Sequence, residues 1–431
     1  MIEKTHSILN QNYEIVDEII ELINDCESGL TEQFRKIDEI EEFNQYKVLN
    51  SFIKNKISDS HFAWNTGYGE NDMGREATER LFADVFGTED ALVRTQIVNG
   101  THALSITLTG LLLPGDEMIY CSGSPYDTLH NVIGLSGEGM GSLKDFGISY
   151  KQTELTDDGD IDYDSLKKAI TGKTKMVCLQ RATGYSWRPA LTVSRIKKWV
   201  GFVKKIDPDI ICMVDNCYGE FLDTQEPTDV GVDIMAGSLI KNPGGGLALS
   251  GGYVAGRSDL VNKISYRLTC AGIGGDCGLT FGQTRTILQG IFYAPRTVGG
   301  AIKGAILCSS VLKKLGYEVC PLPLAERSDI VQAVKLLKPE VVKAFCEGIQ
   351  KVSPIDSFVR PVPGEMPGYG DDVIMASGSF IQGSTMELSA DGPMREPYIV
   401  YFQGGISYEH CKIGIMSAVN SLSQKGYVAI K

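Results

Sequence analysis

The sequence has little of what marks membrane, secreted or nucleic-acid-binding proteins. Basic residues number 41 against 54 acidic ones, so the net charge is −13, which disfavours nucleic acid or an anionic membrane as a main partner. The longest apolar stretch, residues 103–113, carries three hydroxyl residues and is too short to span a bilayer. The amino terminus, M-I-E-K-T-H-S, has no basic segment before an apolar one, so no signal peptide is expected.

Cysteine motifs are also missing. The 11 cysteines are scattered without a C-x-x-C pair, and several lie in apolar runs, where cysteine acts as a small hydrophobic residue. An odd number without a disulfide framework predicts a reducing, cytoplasmic location. Cys270 and Cys277 share a glycine-rich loop, but no further ligands stand at suitable spacing, so no metal site is predicted.

The overall composition is that of an ordinary globular protein, and the chain is long. With 431 residues, 43% hydrophobic and 22% charged, two domains are expected. We predict a helical arm over 1–60, a large domain over 61–300 and a small C-terminal domain over 301–431. Strands alternate with helices through the large domain, which predicts an α/β fold with a mainly parallel sheet and a site at the carboxyl ends of its strands.

The chain is organised around residues 213–256. One apolar run ends in Asp215, and a second leads through Ser238 to Lys241. A carboxylate and a lysine just past two buried strands suit a pyridine ring: Lys241 would form a Schiff base with the aldehyde of pyridoxal phosphate, and Asp215 would face the ring nitrogen. The Ser238 hydroxyl could reach the phosphate. Taken singly, each residue is better explained as a capping aspartate or a solvated loop lysine; their combination favours the cofactor site.

The same stretch, with D-N-C-Y-G-E-F and S-L-I-K-N-P-G-G-G, resembles the fold-type I pyridoxal-phosphate enzymes. Together with G-P-M-R-E-P-Y-I-V-Y-F-Q-G-G-I-S-Y-E-H near the C-terminus, it is most similar to the methionine gamma-lyase-like family, also labelled aluminium resistance proteins. The similarity runs from about Phe62 to the C-terminus. It implies a seven-stranded sheet, a smaller C-terminal α+β domain, and a homodimer or homotetramer.

Further cofactor ligands are expected upstream of Asp215. A strand, the N-G-T turn and a helix place the backbone N–H groups of Gly100 and Thr101 on a phosphate, although helix capping explains Thr101 as well. The resemblance implies that Tyr126 stacks on the pyridine ring. It also implies a hydrogen bond to the ring's 3-oxygen, for which Gln180 and Arg181 compete.

Two further positions are assigned through the resemblance. Tyr68 would reach across a dimer to the neighbour's cofactor phosphate, with Arg75 as a weaker candidate; the usual Tyr-x-Arg spacing is absent because Glu70 stands at that position. Arg395 would bind the substrate α-carboxylate through its bidentate fork, with Arg360 as the alternative. A surface ion pair between Arg395 and the adjacent Glu396 is the other explanation for this arginine.

These features predict a pyridoxal-phosphate-dependent enzyme acting on a small amino acid. The family implies carbon–sulfur lysis, with a thiol eliminated from the β- or γ-carbon, as in a cystathionine beta-lyase or methionine gamma-lyase. Aminotransfer, racemisation and aldol cleavage share its early steps, so another pyridoxal-phosphate enzyme stays open. A pyridoxal-phosphate-binding metal-stress protein without lyase activity is the remaining alternative.

Overall fold

The computed structural model describes residues 2–65, 68–137 and 139–430. The chain divides into two compact units. The large unit contains residues 43–184 and 190–295, and the small unit contains residues 1–42, 185–189 and 296–431. The amino-terminal residues 1–42 thus group with the small unit, whereas the sequence prediction set residues 1–60 apart as an arm.

The helices are α1 (Ile2–Tyr13), α2 (Asp17–Ser28), α3 (Thr31–Lys54), α4 (Met73–Val85), α5 (Gly100–Leu111), α6 (His130–Ile133), α7 (Tyr163–Ala169), α8 (Val193–Ile206), α9 (Ser258–Leu268), α10 (Thr284–Lys314), α11 (Pro339–Lys351) and α12 (Tyr408–Gln424). The strands are β1 (Asp90–Arg94), β2 (Glu117–Tyr120), β3 (Ser149–Gln152), β4 (Thr174–Gln180), β5 (Ile211–Asp215), β6 (Ile234–Ser238), β7 (Gly252–Gly256), β8 (Glu318–Cys320), β9 (Val331–Lys335), β10 (Val373–Ser377), β11 (Ser389–Pro393) and β12 (Ile399–Gln403). None of these helices is both long and apolar enough to cross a membrane.

The large unit is built on a seven-stranded sheet of order β1-β7-β6-β5-β4-β2-β3. Strands β6, β5, β4, β2 and β3 are parallel, while β7 runs antiparallel to both β6 and β1. The predicted mainly parallel seven-stranded sheet is therefore confirmed. Every residue of β5 is buried, and the strand is apolar up to its last residue, Asp215, as expected where both faces of a parallel sheet are covered.

The core of the large unit joins consecutive strands to helix α5. Met118, Cys178, Met213 and Ile234 come from four neighbouring strands, and they share one apolar cluster with Leu104 of α5. This packing fixes α5 against the sheet. Because β2, β4, β5 and β6 run in the same direction, their carboxyl ends meet at one edge, where the helix also begins.

The small unit contains a five-stranded antiparallel sheet of order β10-β11-β12-β9-β8, which confirms the predicted smaller α+β part. Helices α11 and α12 pack closely because Gly348 has no side chain: a Cβ there would lie 2.5 Å from the Cα of Ala418. At the amino end, the isoleucines of α2, Ile19, Ile20 and Ile23, are buried, as their helical periodicity predicts, and so is Ile15 between α1 and α2.

Candidate active site

Three predicted site residues are the last residues of neighbouring strands, at the same edge of the sheet. Gln180 is the last residue of β4, Asp215 of β5 and Ser238 of β6. Gln180 lies opposite Asp215 in the ladder, and Asp215 lies opposite Ala236. All three predicted residues are buried. The sheet thus brings together polar groups that are separated by 58 residues in the sequence.

Asp215 is a buried carboxylate at the end of a buried strand. Its Oδ1 accepts a hydrogen bond from the backbone N–H of Cys217 at 3.1 Å. Burial raises the pKa of Asp215 to about 6, and the hydrogen bonds from Cys217 and the charge of Lys241 act against that rise. At neutral pH this carboxylate is ionised in a site with little solvent, so a cationic partner such as a protonated ring nitrogen would stabilise it.

Lys241 follows β6 by three residues and precedes the short 3-10 turn Asn242–Gly244. Its Nζ donates to the Tyr218 hydroxyl at 2.8 Å and lies 4.1 Å from the centroid of the Tyr218 ring. The N-P-G turn is so tight that only glycine fits at position 244, because a Cβ on Gly244 would lie 1.8 Å from the carbonyl oxygen of Leu239. The glycine at this position therefore allows the chain to turn back beside β6 and to place the lysine at the sheet edge.

The amino end of α5 lies at the same edge. Asn99 caps the helix by accepting from the His102 N–H at 2.8 Å, and the first turn has no acidic residue. A Cβ on Gly100 would lie 3.3 Å from both the Cys217 Sγ and the Ser238 Cβ, so the helix begins close to the end of β6 and a side chain here would crowd it. The helix amino terminus and the Ser238 hydroxyl thus form a cradle that suits a phosphate.

The side wall of the site holds Tyr126 and Gln180. A Cβ on Gly184 would lie 3.4 Å from Tyr126 Cδ2 and 2.7 Å from Gln180 Nε2, so both side chains border the same glycine. The Gln180 Nε2 donates to the Ala182 carbonyl oxygen at 3.1 Å. Thr101 is placed nearby through its hydroxyl, which lies 2.6 Å from that of Thr128, two residues beyond Tyr126.

Gln180 and Arg181, the two candidates for the ring oxygen, are both buried but have different partners. Arg181 is fully buried, its Nη1 donates to Asn216 Oδ1 at 2.9 Å, and the same nitrogen lies 3.5 Å from Glu226 Oε2. Arg181 follows directly after Gln180, the last residue of β4. The contacts of Arg181 with Asn216 and Glu226 favour Gln180 for the ring oxygen, and the choice between the two stays a prediction.

The structure does not test the role of Tyr68. The residue is 80% exposed, and its carbonyl oxygen accepts from the Gly278 N–H at 2.8 Å; Thr66 and Gly67 of the same loop lie outside the described residues. Arg75 is buried, and its guanidinium donates to the carbonyl oxygens of Gly278 at 3.2 Å and Asp276 at 3.3 Å. The contribution of Tyr68 to a neighbouring subunit stays a prediction, and Arg75 holds this loop in place.

The two candidate arginines for a substrate carboxylate belong to the small unit. Arg395 Nη1 donates to Asp371 Oδ2 at 2.9 Å, with both side chains part-exposed. Arg360 is more exposed and pairs with Glu347. Arg395 thus has a carboxylate partner already, Asp371 rather than the adjacent Glu396, and its role towards substrate stays a prediction.

Sequence reasoning missed Tyr218 and Glu220, both in the D-N-C-Y-G-E-F segment. Tyr218 contacts Lys241 as described above. Glu220 is fully buried, and its Oε1 accepts from the Tyr253 hydroxyl at 2.6 Å. Burial raises the pKa of Glu220 to about 8. Two features of the sequence could have indicated them: Tyr218 stands three residues after Asp215, and Glu220 stands directly before the apolar pair Phe221 and Leu222.

Comparison with known proteins decides the family. The family model for methionine gamma-lyase matches residues 19–423. The chain belongs to this family. A carbon–sulfur lyase involved in aluminium resistance from Clostridium novyi NT is 50% identical, with a TM-score of 0.93 over 97% of this chain and 99% of that one. The Bacillus subtilis protein YnbB is 50% identical over 402 residues, 93% of this chain and 96% of its own length.

A distant structure extends the likeness in fold. The pyridoxal-5'-phosphate-dependent protein YhfS from Escherichia coli superposes with a TM-score of 0.61 over 90% of this chain and 97% of that one, at 16% identity. At this identity the likeness shows the fold alone. The predicted membership of the methionine gamma-lyase-like family and the predicted fold class are both confirmed.

Proposed function

We propose that this protein is a pyridoxal-phosphate-dependent carbon–sulfur lyase that eliminates a thiol from the β- or γ-carbon of a sulfur amino acid. One observation carries the proposal: a buried carboxylate, Asp215, and a lysine, Lys241, lie at the ends of adjacent strands beside a helix amino terminus. Membership of the methionine gamma-lyase family supports the reaction class, as does the description of the Clostridium novyi relative as a carbon–sulfur lyase.

The residues at the sheet edge fit the cofactor. Asp215 would pair with the ring nitrogen and Lys241 would carry the aldehyde carbon, while Gly100, Thr101 and Ser238 would hold the phosphate. Tyr126 would lie against the ring face, and Gln180 would contact the ring oxygen. The fit rests on the buried carboxylate and on the glycine that brings α5 against β6. When bound, pyridoxal phosphate withdraws electrons from the substrate α-carbon and stabilises negative charge there.

Two side chains of the protein, Lys241 and Asp215, would control the protons of the reaction. The Lys241 amine is the candidate general base that takes the proton from the substrate α-carbon. With the cofactor bound, the Asp215 carboxylate would keep the ring nitrogen protonated, because charge pairing is stronger in a buried site than in water. Loss of a thiol from the β- or γ-carbon followed by hydrolysis then gives an oxo acid and ammonia.

Substrate binding and assembly complete the proposal. Arg395 is the candidate for the substrate carboxylate, to which it would have to turn from Asp371. Tyr68 is the candidate that completes the phosphate site of a neighbouring subunit, which would make the active unit at least a homodimer in a reducing cytoplasm. A small amino acid is the proposed partner molecule.

A panel of amino acids tests the function. Purified holo-protein is incubated with cystathionine, cysteine and methionine, and thiol, oxo acid and ammonia are measured together, with Lys241→Ala as the control. Pyruvate with a thiol indicates elimination from the β-carbon, and 2-oxobutanoate with methanethiol from methionine indicates elimination from the γ-carbon. Oxo acid without thiol would favour aminotransfer instead. Cofactor absorbance without any product from a wider panel would contradict the lyase proposal and favour a binding protein.

A further inference from the structure

We propose that Tyr218 is a positioning residue for Lys241: its hydroxyl and ring hold the lysine amine at the sheet edge and favour the protonated amine that forms when the lysine accepts the substrate's proton. This inference rests on the proposed role of Lys241 as the base. It assigns a role to a residue that the sequence analysis did not select.

The contact is a double one. The Lys241 Nζ donates to the Tyr218 hydroxyl oxygen at 2.8 Å and lies 4.1 Å from the centroid of the same ring. An ammonium group gains from both a hydroxyl acceptor and a π face. A neutral amine gains less from either, so the contact favours the charged form of Lys241. The titratable groups that act on this amine from the large unit include Asp215 and Cys217 besides Tyr218.

The backbone of Tyr218 is held in an unfavourable conformation to make this contact. Its φ is +69°, in the left-handed region that residues other than glycine, asparagine and aspartate rarely adopt. Such strain persists only where the surroundings impose it, and it is often found at functional sites. Here a turn imposes it: the Gly219 N–H donates to the Asn216 carbonyl oxygen at 2.9 Å.

Arg181 stabilises that turn. Its Nη1 donates to Asn216 Oδ1 at 2.9 Å, and a Cβ on Gly219 would lie 2.5 Å from the Arg181 Cδ, so the arginine side chain packs directly on the turn. Glu226 pairs with Arg181 at 3.5 Å and accepts from the Phe221 N–H at 2.9 Å. The buried ion pair therefore binds the segment on both sides of Tyr218: Arg181 contacts Asn216 before it, and Glu226 contacts Phe221 after it.

The same turn links the two principal site residues. The Cys217 N–H donates to Asp215 Oδ1 at 3.1 Å, and the next residue, Tyr218, contacts Lys241. The Asn216 N–H is anchored to the Ala236 carbonyl oxygen at 3.0 Å, which ties the turn to β6, the strand that leads to Lys241. One segment of four residues thus sets the positions of both the carboxylate and the amine.

The test compares Tyr218→Phe, Tyr218→Asn and the control Tyr150→Phe. The control removes a tyrosine hydroxyl that donates to Gln152 at 2.8 Å on the edge strand β3. The first readout uses apo-protein: an amine-selective reagent is applied across a pH range, and labelling of the Lys241 peptide is followed by mass spectrometry. Loss of a hydrogen bond to a charged group should move the midpoint of labelling in Tyr218→Phe to lower pH by about one unit, with no movement in the control.

The second readout is turnover. If Tyr218 acts on the base, Tyr218→Phe should lower kcat by roughly tenfold and leave KM close to wild type, because the lost contact matters most once the amine is charged. Tyr218→Asn relieves the backbone strain, since asparagine tolerates a left-handed φ. It should therefore be at least as stable to heat as wild type and still show the shifted labelling profile.

The outcomes separate this inference from the proposed function. A labelling profile of Lys241 that is unchanged in both folded Tyr218 variants would overturn the positioning role, whatever the enzyme's activity. If wild-type protein releases no thiol but the profile shifts as expected, the lyase proposal fails and the effect of Tyr218 on Lys241 stands.

Discussion

The buried carboxyl group of Glu220 makes a sharp prediction about stability and pH. The side chain is fully buried, its Oε1 accepts from the Tyr253 hydroxyl at 2.6 Å, and its Oε2 has no hydrogen-bond partner among the described residues. Burial is the main cause that raises its pKa from 4.5 to about 8; Tyr253 acts in the opposite direction, and the charge of Glu226 adds to the rise. Glu220 is therefore a neutral acid in the folded protein near pH 7.

The sign of the effect follows from that raised pKa. Between pH 4.5 and about 8 the folded state keeps the proton on Glu220, while the unfolded chain releases it. The stabilising contribution of the protonated group is therefore complete below pH 4.5 and is lost as the pH rises towards 8. The loss is about 1.4 kcal/mol per pH unit. From pH 6 to pH 8 the free energy of unfolding should therefore fall by about 2 kcal/mol through this residue alone.

The perturbation is Glu220→Gln. Glutamine keeps the oxygen that accepts from Tyr253 but has no proton to lose, so the variant lacks this pH-dependent loss. The free energies of unfolding of wild type and variant, measured by denaturant titration at pH 6, 7 and 8, should diverge in favour of the variant by about 2 kcal/mol across that range. The exposed Asp157 supplies the control, because Asp157→Asn should run parallel to wild type.

Parallel curves for wild type and Glu220→Gln would refute the reasoning, since they would mean that Glu220 has the same pKa in both states. An independent check is the carbonyl stretch of a protonated carboxylic acid in infrared difference spectra of the two proteins at pH 7. Its absence would show directly that the buried group is ionised.

Three further predictions concern the site itself. Lys241→Ala should retain pyridoxal phosphate poorly and lose turnover, and borohydride reduction followed by peptide mapping should mark Lys241 in wild type; a label on another lysine would disprove the assignment. Asp215→Ala should keep the fold, as seen by circular dichroism, and lose about a hundredfold or more in kcat; near-normal turnover would contradict its pairing with the ring. Mixed Tyr68→Ala and Lys241→Ala chains should regain activity on subunit exchange, because one site of each mixed dimer carries neither lesion; a mixture that exchanges but stays inactive would rule out a role across the interface.

The sequence by itself determined the strand-and-helix order and the edge at which the site lies. Apolar runs that end in Gln180, Asp215 and Ser238 alternate with helices, and parallel strands then bring those ends together whatever the details of packing. The helix start at Gly100 and the glycine turn after Lys241 were readable for the same reason: capping and tight turns depend on residues adjacent in the chain. Family membership supports the proposed cofactor and reaction class.

The tertiary structure alone decided which neighbours of those residues act on the site. Arg181 is buried against Glu226, a partner that lies 45 residues beyond it in the sequence. The packing of Arg181 on the Tyr218 turn and the raised pKa of Glu220 likewise follow from contacts between segments that only folding brings together. Propensity and spacing describe short-range geometry, whereas burial and charge pairing are set by distant parts of the chain, and so they became visible only in the folded structure.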